Sequence, residues 1–494
     1  MTDNNINESL DTLIQSQSPH LALHLLQEVP WDRLFHQTDD PFQVYTTARL
    51  LQYIMILNNT TEKSAQYELN QGRRVWITQL IEKMTMEHHH QWTCATPIYL
   101  ELCHTILKDY RKHSNDMSDR NEDEDHHVGW TLLSTCIRDR NVCAWIQNAL
   151  NTKSGMDCVP LIVLMTDIAK TCKSWMEQDN NASQEGWLWM SRHLSQICTL
   201  WLDPHITVAR RSLALVGILL RYYKRFEMIQ TVLPFFVSYT KTLYQHLTRQ
   251  QLYSLCDPDR TEFFYSTVGD HPKEDDDDMV DKNCLAVDRE CLKQATQIFF
   301  IILAALMDIS LAQENKDKNK ILNNSLHELI NITTMLYQEA GDILEILFEL
   351  HGNNDEDAIN LQLDILNMYE KLDYSLGESN SENMIMIKHL LNTTGIGPNC
   401  LFLFFCRRTG MDHSLLVDLL LSNETEFLLF FVRYLKYIER DPQDFVQVCH
   451  TLVEDQEEVM DMFRGVLTVL QSGGFPYNPN YLIKRLAHVI KILK

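Results

Sequence analysis

The sequence predicts an all-α protein built as an irregular α-solenoid with disordered acidic loops. Scarcity of helix breakers is the first ground. The 494 residues hold 15 Gly and 13 Pro, roughly 6% against a usual share of roughly 12%. Long helices tolerate few of either, whereas turn-rich β-proteins need many. A recurring start signal is the second ground: a capping residue, then proline, then an apolar segment with a three-to-four-residue step. The hydrophobic share of 45% is the third, since it is ordinary for a folded chain.

Taken in order, Ser18-Pro19 opens the segment LALHLLQEV, and Asp40-Pro41 opens a second that runs to Asn58. Thr96-Pro97 and Asp203-Pro204 repeat the device. Proline suits the first helical position because that amide has no intrahelical partner in any case. Short helices between polar loops imply antiparallel helix pairs. Residues 203–223 give the best local unit: Val208, Leu213, Leu215, Val216, Leu219 and Leu220 form an apolar face, with Ala214 and Gly217 small enough for close approach. This segment resembles the second helix of armadillo and HEAT repeats, although no clean repeat near their period of about 40 residues is present.

Polar interruptions fall at 114–127, 177–185 and 256–283. The last includes the run Asp275 to Asp278, whose mutual repulsion predicts a disordered loop, read as a solvated insert or an acidic docking site. The expected organisation is an N-terminal helical repeat region over 1–255, the acidic insert over 256–283, a helical region over 284–445, and C-terminal helices over 446–494. Within the third, residues 422–445 read as one amphipathic helix. Asn423 and Glu426 have the form of a capping box. Phe427, Phe430, Phe431, Tyr434, Leu435 and Ile438 recur at the helical step, and Pro442 stops the run.

Charge narrows the partners. The 67 acidic and 43 basic residues give −24, which disfavours direct nucleic-acid binding and suits a basic protein partner or plain solubility. The thirteen cysteines never form CxxC and read as reduced thiols of an intracellular protein. The polar, acidic N-terminus carries no secretory signal. The longest apolar run, residues 298–307, is short for a membrane span, so no membrane partner is expected.

Motifs for chemistry fail one by one. Three successive histidines, His88, His89 and His90, point about 100° apart on a helix and cannot chelate one zinc ion; Cys103 and His104 share the problem. Gly395-Ile396-Gly397 lacks the third glycine and the lysine of a phosphate loop and reads as a turn. Asp355, Glu356 and Asp357 lack the glycine and terminal glutamate of a calcium loop. Trp187, Trp189 and Trp201 sit at helical spacing and read as core. No catalytic residue, metal or cofactor is expected, and the chain reads as a non-enzyme.

Two segments carry a resemblance. One is MDHSLLVDLLLSNETEFLLFFVRYLKYIERDPQDF over 411–445; the other is FPYNPNYLIKRL over 475–486. In this order they resemble the Lines family of segment-polarity regulators in Wnt/Wingless signalling. Asp412, His413, Leu416, Asp418, Glu424, Thr425, Phe427, Phe431, Arg433, Tyr434 and Lys436 match the first pattern, and Phe475 to Pro479 with Leu482, Ile483 and Leu486 match the second. The resemblance implies a non-enzymatic helical regulator of the nucleus and cytoplasm that contacts transcriptional regulators, in particular an odd-skipped-type zinc-finger protein. Arg433, Tyr434, Lys436, Phe475 and Tyr477 are the candidate interaction residues. The alternative is a karyopherin-like adaptor that carries basic peptides on an acidic concave face. Physically, the tail reads as a capping helix with the stripe Leu482, Ile483, Leu486, Val489, Ile490 and Leu493.

Overall fold

A computed structural model describes residues 3–28, 41–57, 63–86, 96–114, 128–152, 155–176, 181–223, 226–257, 263–267, 284–311, 326–331, 343–375, 382–422, 425–453 and 455–494. The expected all-α class holds, with one two-stranded ribbon added. The chain divides into two compact units, residues 1–223 and 224–494.

The first unit runs α1 (Asp3–Ser16), α2 (Pro19–Glu28), α3 (Pro41–Ile56), α4 (Lys63–Met86), α5 (Thr96–Ser114) and α6 (Val128–Arg138). It continues with α7 (Arg140–Thr152), α8 (Val159–Met176), α9 (Asn181–Ser191), α10 (Leu194–Thr199) and α11 (Ile206–Tyr222). Each helix packs on near neighbours in sequence, as in a solenoid: α3 on α5, α4 on α6, and α8 against α5, α9 and α11. The Pro start signals work by two routes. Ser18 Oγ accepts from the Leu21 amide at 3.4 Å, at the start of α2. Asp203 acts before α11 instead: its Oδ1 accepts from His205 N at 2.8 Å and its Oδ2 from Gly155 N at 2.9 Å, so the helix begins at Ile206. Gly155 sits at φ +65° against the His205 ring, a place with no room for a side chain.

Polar groups in this unit are structural. Buried Arg73 donates from Nε to Ile54 O at 2.9 Å and also reaches Leu57 O, satisfying carbonyls at the end of α3. Burial lowers its pKa to about 9. Trp187, Trp189 and Trp201 are each at most 2% exposed, as their spacing predicts, and Trp187 stacks on Tyr223 at 5.9 Å. Cys103 is buried, its thiol pushed up to about 12 by desolvation. His104 pairs instead with Asp167, which also accepts from Arg111 at 3.1 Å. The triple histidine lies outside the described residues, as do Cys94 and most of 114–127.

The second unit runs α12 (Phe226–His246), α13 (Arg249–Cys256), β1 (Phe263–Thr267), β2 (Cys284–Asp288), α14 (Arg289–Leu311), α15 (Ile343–His351), α16 (Asp355–Ser375) and α17 (Glu382–Thr394). Then come α18 (Pro398–Arg408), α19 (His413–Leu421), α20 (Phe427–Arg440), α21 (Pro442–Leu452), α22 (Gln456–Ser472) and α23 (Asn480–Ile492). The ribbon corrects one expectation. Residues 263–267, inside the segment expected to be disordered, pair antiparallel with 284–288 in the register Phe263 to Asp288 through Thr267 to Cys284. Leu285, Ala286 and Val287 are buried, so the pairing is anchored by β2 packing on α14. The aspartate run Asp275 to Asp278 lies outside the described residues.

Helix starts differ elsewhere too. Residues 181–185, expected within a loop, are the first turn of α9, and residues 355–357 open α16. Asp355, Glu356 and Asp357 place negative charge where the helix dipole favours it. Residues 289–308 of α14 are long and apolar enough to cross a membrane by composition, an extent the shorter run 298–307 understated. That stretch is 67% buried in the protein and serves as the core helix on which α12, α16 and α17 pack.

Candidate functional site

The helix expected over 422–445 is two helices. α20 spans Phe427–Arg440, and α21 starts at Pro442. Glu426 is itself the N-cap of α20 and makes no side-chain cap bond, and Asn423, the other member of the expected capping box, lies outside the described residues. Asp441 ends one helix and caps the next, its Oδ1 accepting from Asp444 N at 3.1 Å. Pro442 therefore both stops α20 and begins α21, since an N1 position loses no hydrogen bond to proline.

The apolar face of α20 builds an aromatic core. Phe427, Phe430, Phe431, Tyr434, Leu435 and Ile438 are all 0% exposed. Phe402 of α18 lies 4.4 Å from the Tyr434 ring and 6.2 Å from Phe430, Phe431 and Phe463. Offset and tilted rings at these separations add about 0.5–1.5 kcal/mol per pair beyond their burial. α23 closes the core, with Leu482, Leu486, Val489, Ile490 and Leu493 buried against α20 and α22. The turn before it is made by Asn478, whose Oδ1 accepts from Asn480 N at 3.1 Å.

Sequence-selected residues fall into two groups. Tyr434 is a correction: it is fully buried, its hydroxyl donates to Asn399 Oδ1 at 3.0 Å, and no part of it can meet a partner. Desolvation pushes its pKa well above the usual phenol value. Arg433 is tied to Glu370 of α16, both side chains being mostly buried, so packing explains its charge. Lys436 is half-buried. Phe475 packs on the core and lies 5.6 Å from Tyr477, whose hydroxyl is buried and whose pKa is raised by desolvation. The 433–436 group lies on α20, and the 475–477 pair lies in the segment before α23. Arg485 of the tail, bound to Glu439 of α20 and to Tyr481 Oη at 2.7 Å, makes the polar link between the two segments.

What sequence reasoning missed is a cleft of about 380 Å³ beside the core. Tyr369 and Leu372 of α16, Lys388 and Leu391 of α17, Asn399 and Cys400 of α18, Tyr437 of α20, and Asp441, Asp444 and Val448 around α21 line it. Gly395 and Gly397 form its rim. That GxG is the expected turn: Gly395 has φ +67° after α17, and Gly397 caps α18 ahead of Pro398. Tyr369 Oη donates to Ile396 O at 2.8 Å and pins the turn. Tyr434, buried below, holds Asn399, whose Nδ2 donates to Asp444 Oδ2 at 2.6 Å. Asn399 is itself 1% exposed, so this relay fixes a carboxylate at the cleft from within the core. Three stretches of chain, 369–372, 388–400 and 437–448, make the cleft, and no local spacing reports such convergence. Among the described residues no cluster of three or more His, Cys, Asp or Glu side chains is arranged to hold a metal ion.

The family model described as Lines N-terminus matches residues 269–449, which contain the cleft residues and the whole of α20. Over this segment the chain is similar to the Lines family. Protein Lines homolog 1 of Homo sapiens is 41% identical over 73 residues, 15% of this chain and 10% of the relative. The Mus musculus protein of the same name is 34% identical over 107 residues, 21% and 14% of the two chains. Protein lines of Drosophila melanogaster is 48% identical over 56 residues, 11% and 6%. The matched stretches thus span about a tenth of these Lines relatives' own length. The Lines model ends before the 475–486 tail. A circular tandem repeat protein with novel repeat topology and enhanced subunit contact surfaces aligns over 99% of this chain and 87% of its own, at 12% identity and a TM-score of 0.24, too slight a likeness to bear on the fold.

Proposed function

We propose that the chain is a non-enzymatic helical scaffold that regulates Wnt/Wingless-type developmental signalling through contacts with transcriptional regulators. The observation that carries this reading is the Lines N-terminus match over 269–449, a segment whose aromatic residues of α20 are buried in the core and leave the polar rim for contact. Thiol chemistry supports contact over catalysis. Burial pushes the Cys400 thiol up to about 11 and the Cys449 thiol up to about 12, so both stay protonated and weakly nucleophilic near neutral pH.

The partner is a basic protein, with an odd-skipped-type zinc-finger regulator as the specific candidate, met in the nucleus and the cytoplasm. A net charge of −24 supports it, because complementary fields speed encounter and discriminate among partners. Pull-down of such a zinc-finger protein by the full chain, repeated from low to high salt, tests the reading. Capture that weakens as salt rises is expected; no capture at any salt contradicts it. The adaptor alternative gains nothing from the tryptophans, since Trp76, Trp187, Trp189 and Trp201 point into the core of the first unit.

A further inference from the structure

We infer that the cleft lined by Tyr369, Tyr437, Asp441 and Asp444 is a docking site for a single arginine side chain on a peptide segment of the partner. The inference rests on the protein-contact reading above and deepens it.

Charge and shape argue for this occupant. Asp441 uses Oδ1 to cap α21, and Asp444 uses Oδ2 to accept from Asn399. Among the described residues, Asp441 Oδ2 and Asp444 Oδ1 take no hydrogen bond. Two carboxylates in the lining of one cleft therefore each keep one acceptor, a pattern that a planar guanidinium fork can meet and an ammonium meets less well. The rings of Tyr369 and Tyr437 stand edge to face, 6.2 Å apart and 85° between planes, and add a wall over which guanidinium stacks. Leu372, Leu391 and Val448 give the aliphatic stem an apolar floor.

Lys388, exposed on α17, is the opposing charge in the lining. Two carboxylates against one ammonium leave the cleft with one net negative charge. One arginine satisfies that balance, and a run of basic residues exceeds it. Rigidity comes from beneath. Asn399 is held by Tyr434 and the turn at 395–397 by Tyr369, so the acceptors are placed before any ligand arrives.

The test is a phage-displayed library of random nonapeptides panned on the full chain. Enriched peptides are expected to share one arginine. Their affinity should fall at least about tenfold for the D441N/D444N double variant. Asparagine keeps both the cap acceptor and the acceptor for Asn399, so the fold is retained. The same peptides should bind unchanged to E457Q/D461N, which removes equal charge from the Arg464-paired cluster on α22. Lys388→Glu should tighten binding by roughly threefold, a gain that misfolding cannot produce. Peptides without arginine, equal losses in both double variants, no enrichment, or no gain from Lys388→Glu would overturn the inference. The zinc-finger pull-down separates this result from the parent reading. Capture undiminished by D441N/D444N removes the cleft and keeps the regulator; peptide binding without capture keeps the cleft and removes that partner.

Discussion

At the scale of single residues, burial decides what each group does. Phe431 is 0% exposed within a cluster of rings, so Phe431→Ala should cost about 3–5 kcal/mol and lower the melting temperature on the order of 10 °C. Calorimetry checks this, and an unchanged melt would mean that the face is not core. Arg433 and Glu370 are 25% and 16% exposed, between surface and interior. A double-mutant cycle of Arg433→Ala with Glu370→Ala should return a coupling of about 1 kcal/mol by chemical denaturation. His193 of the first unit gives a pH signature. Burial lowers its pKa from 6.5 to about 4, with Arg192 adding to the effect. Its folded pKa lies below the unfolded one, so the unfolded chain takes the proton first as pH falls. Stability should therefore be complete above about pH 6.5 and decline toward pH 4, by up to about 3 kcal/mol. Thermal melts across that window should flatten in His193→Phe if the residue is responsible.

Elements show why some of this was legible and some was not. Apolar recurrence at the helical step located α20 and α23, and the faces it named are the buried ones. The tryptophan spacing and the GIGP turn were readable on the same local logic. Boundaries were less so. A single segment over 422–445 became two helices because Asp441 serves as cap for both, and no periodicity count sees a shared cap. Asp441→Ala should therefore cost about 1 kcal/mol through loss of its bond to Asp444 N, read as a lower midpoint in urea. The ribbon was invisible because β1 and β2 are separated by an acidic stretch and are held by different helices, β1 by α13 and β2 by α14. Tyr434 was misjudged for the same reason. Its polar tip pointed toward a contact role until the partner 35 positions away, Asn399, supplied the bond. The cleft needs three distant stretches of chain, so the lining around Asp441 and Asp444 could not be assembled from local spacing.

For the whole molecule, the Lines-type segment acts as a rigid helical frame whose aromatic residues hold the core and whose polar rim presents carboxylates. The acidic balance of −24 should make association with a basic partner faster at low salt, with the effect fading once the screening length drops below about 10 Å near 0.1 M. Stopped-flow association rates measured against ionic strength would show it as a falling on-rate with a nearly constant dissociation rate. Under the proposed function, this chain works by protein contact on its C-terminal unit. Hydrogen exchange of the full chain, with and without an odd-skipped-type zinc-finger protein, is the decisive measurement. New protection is expected over residues 388–400 and 437–448, with the amides of α20 around the buried Phe430 and Phe431 unchanged. Protection confined to residues 1–223, or no change at any partner concentration, would contradict it.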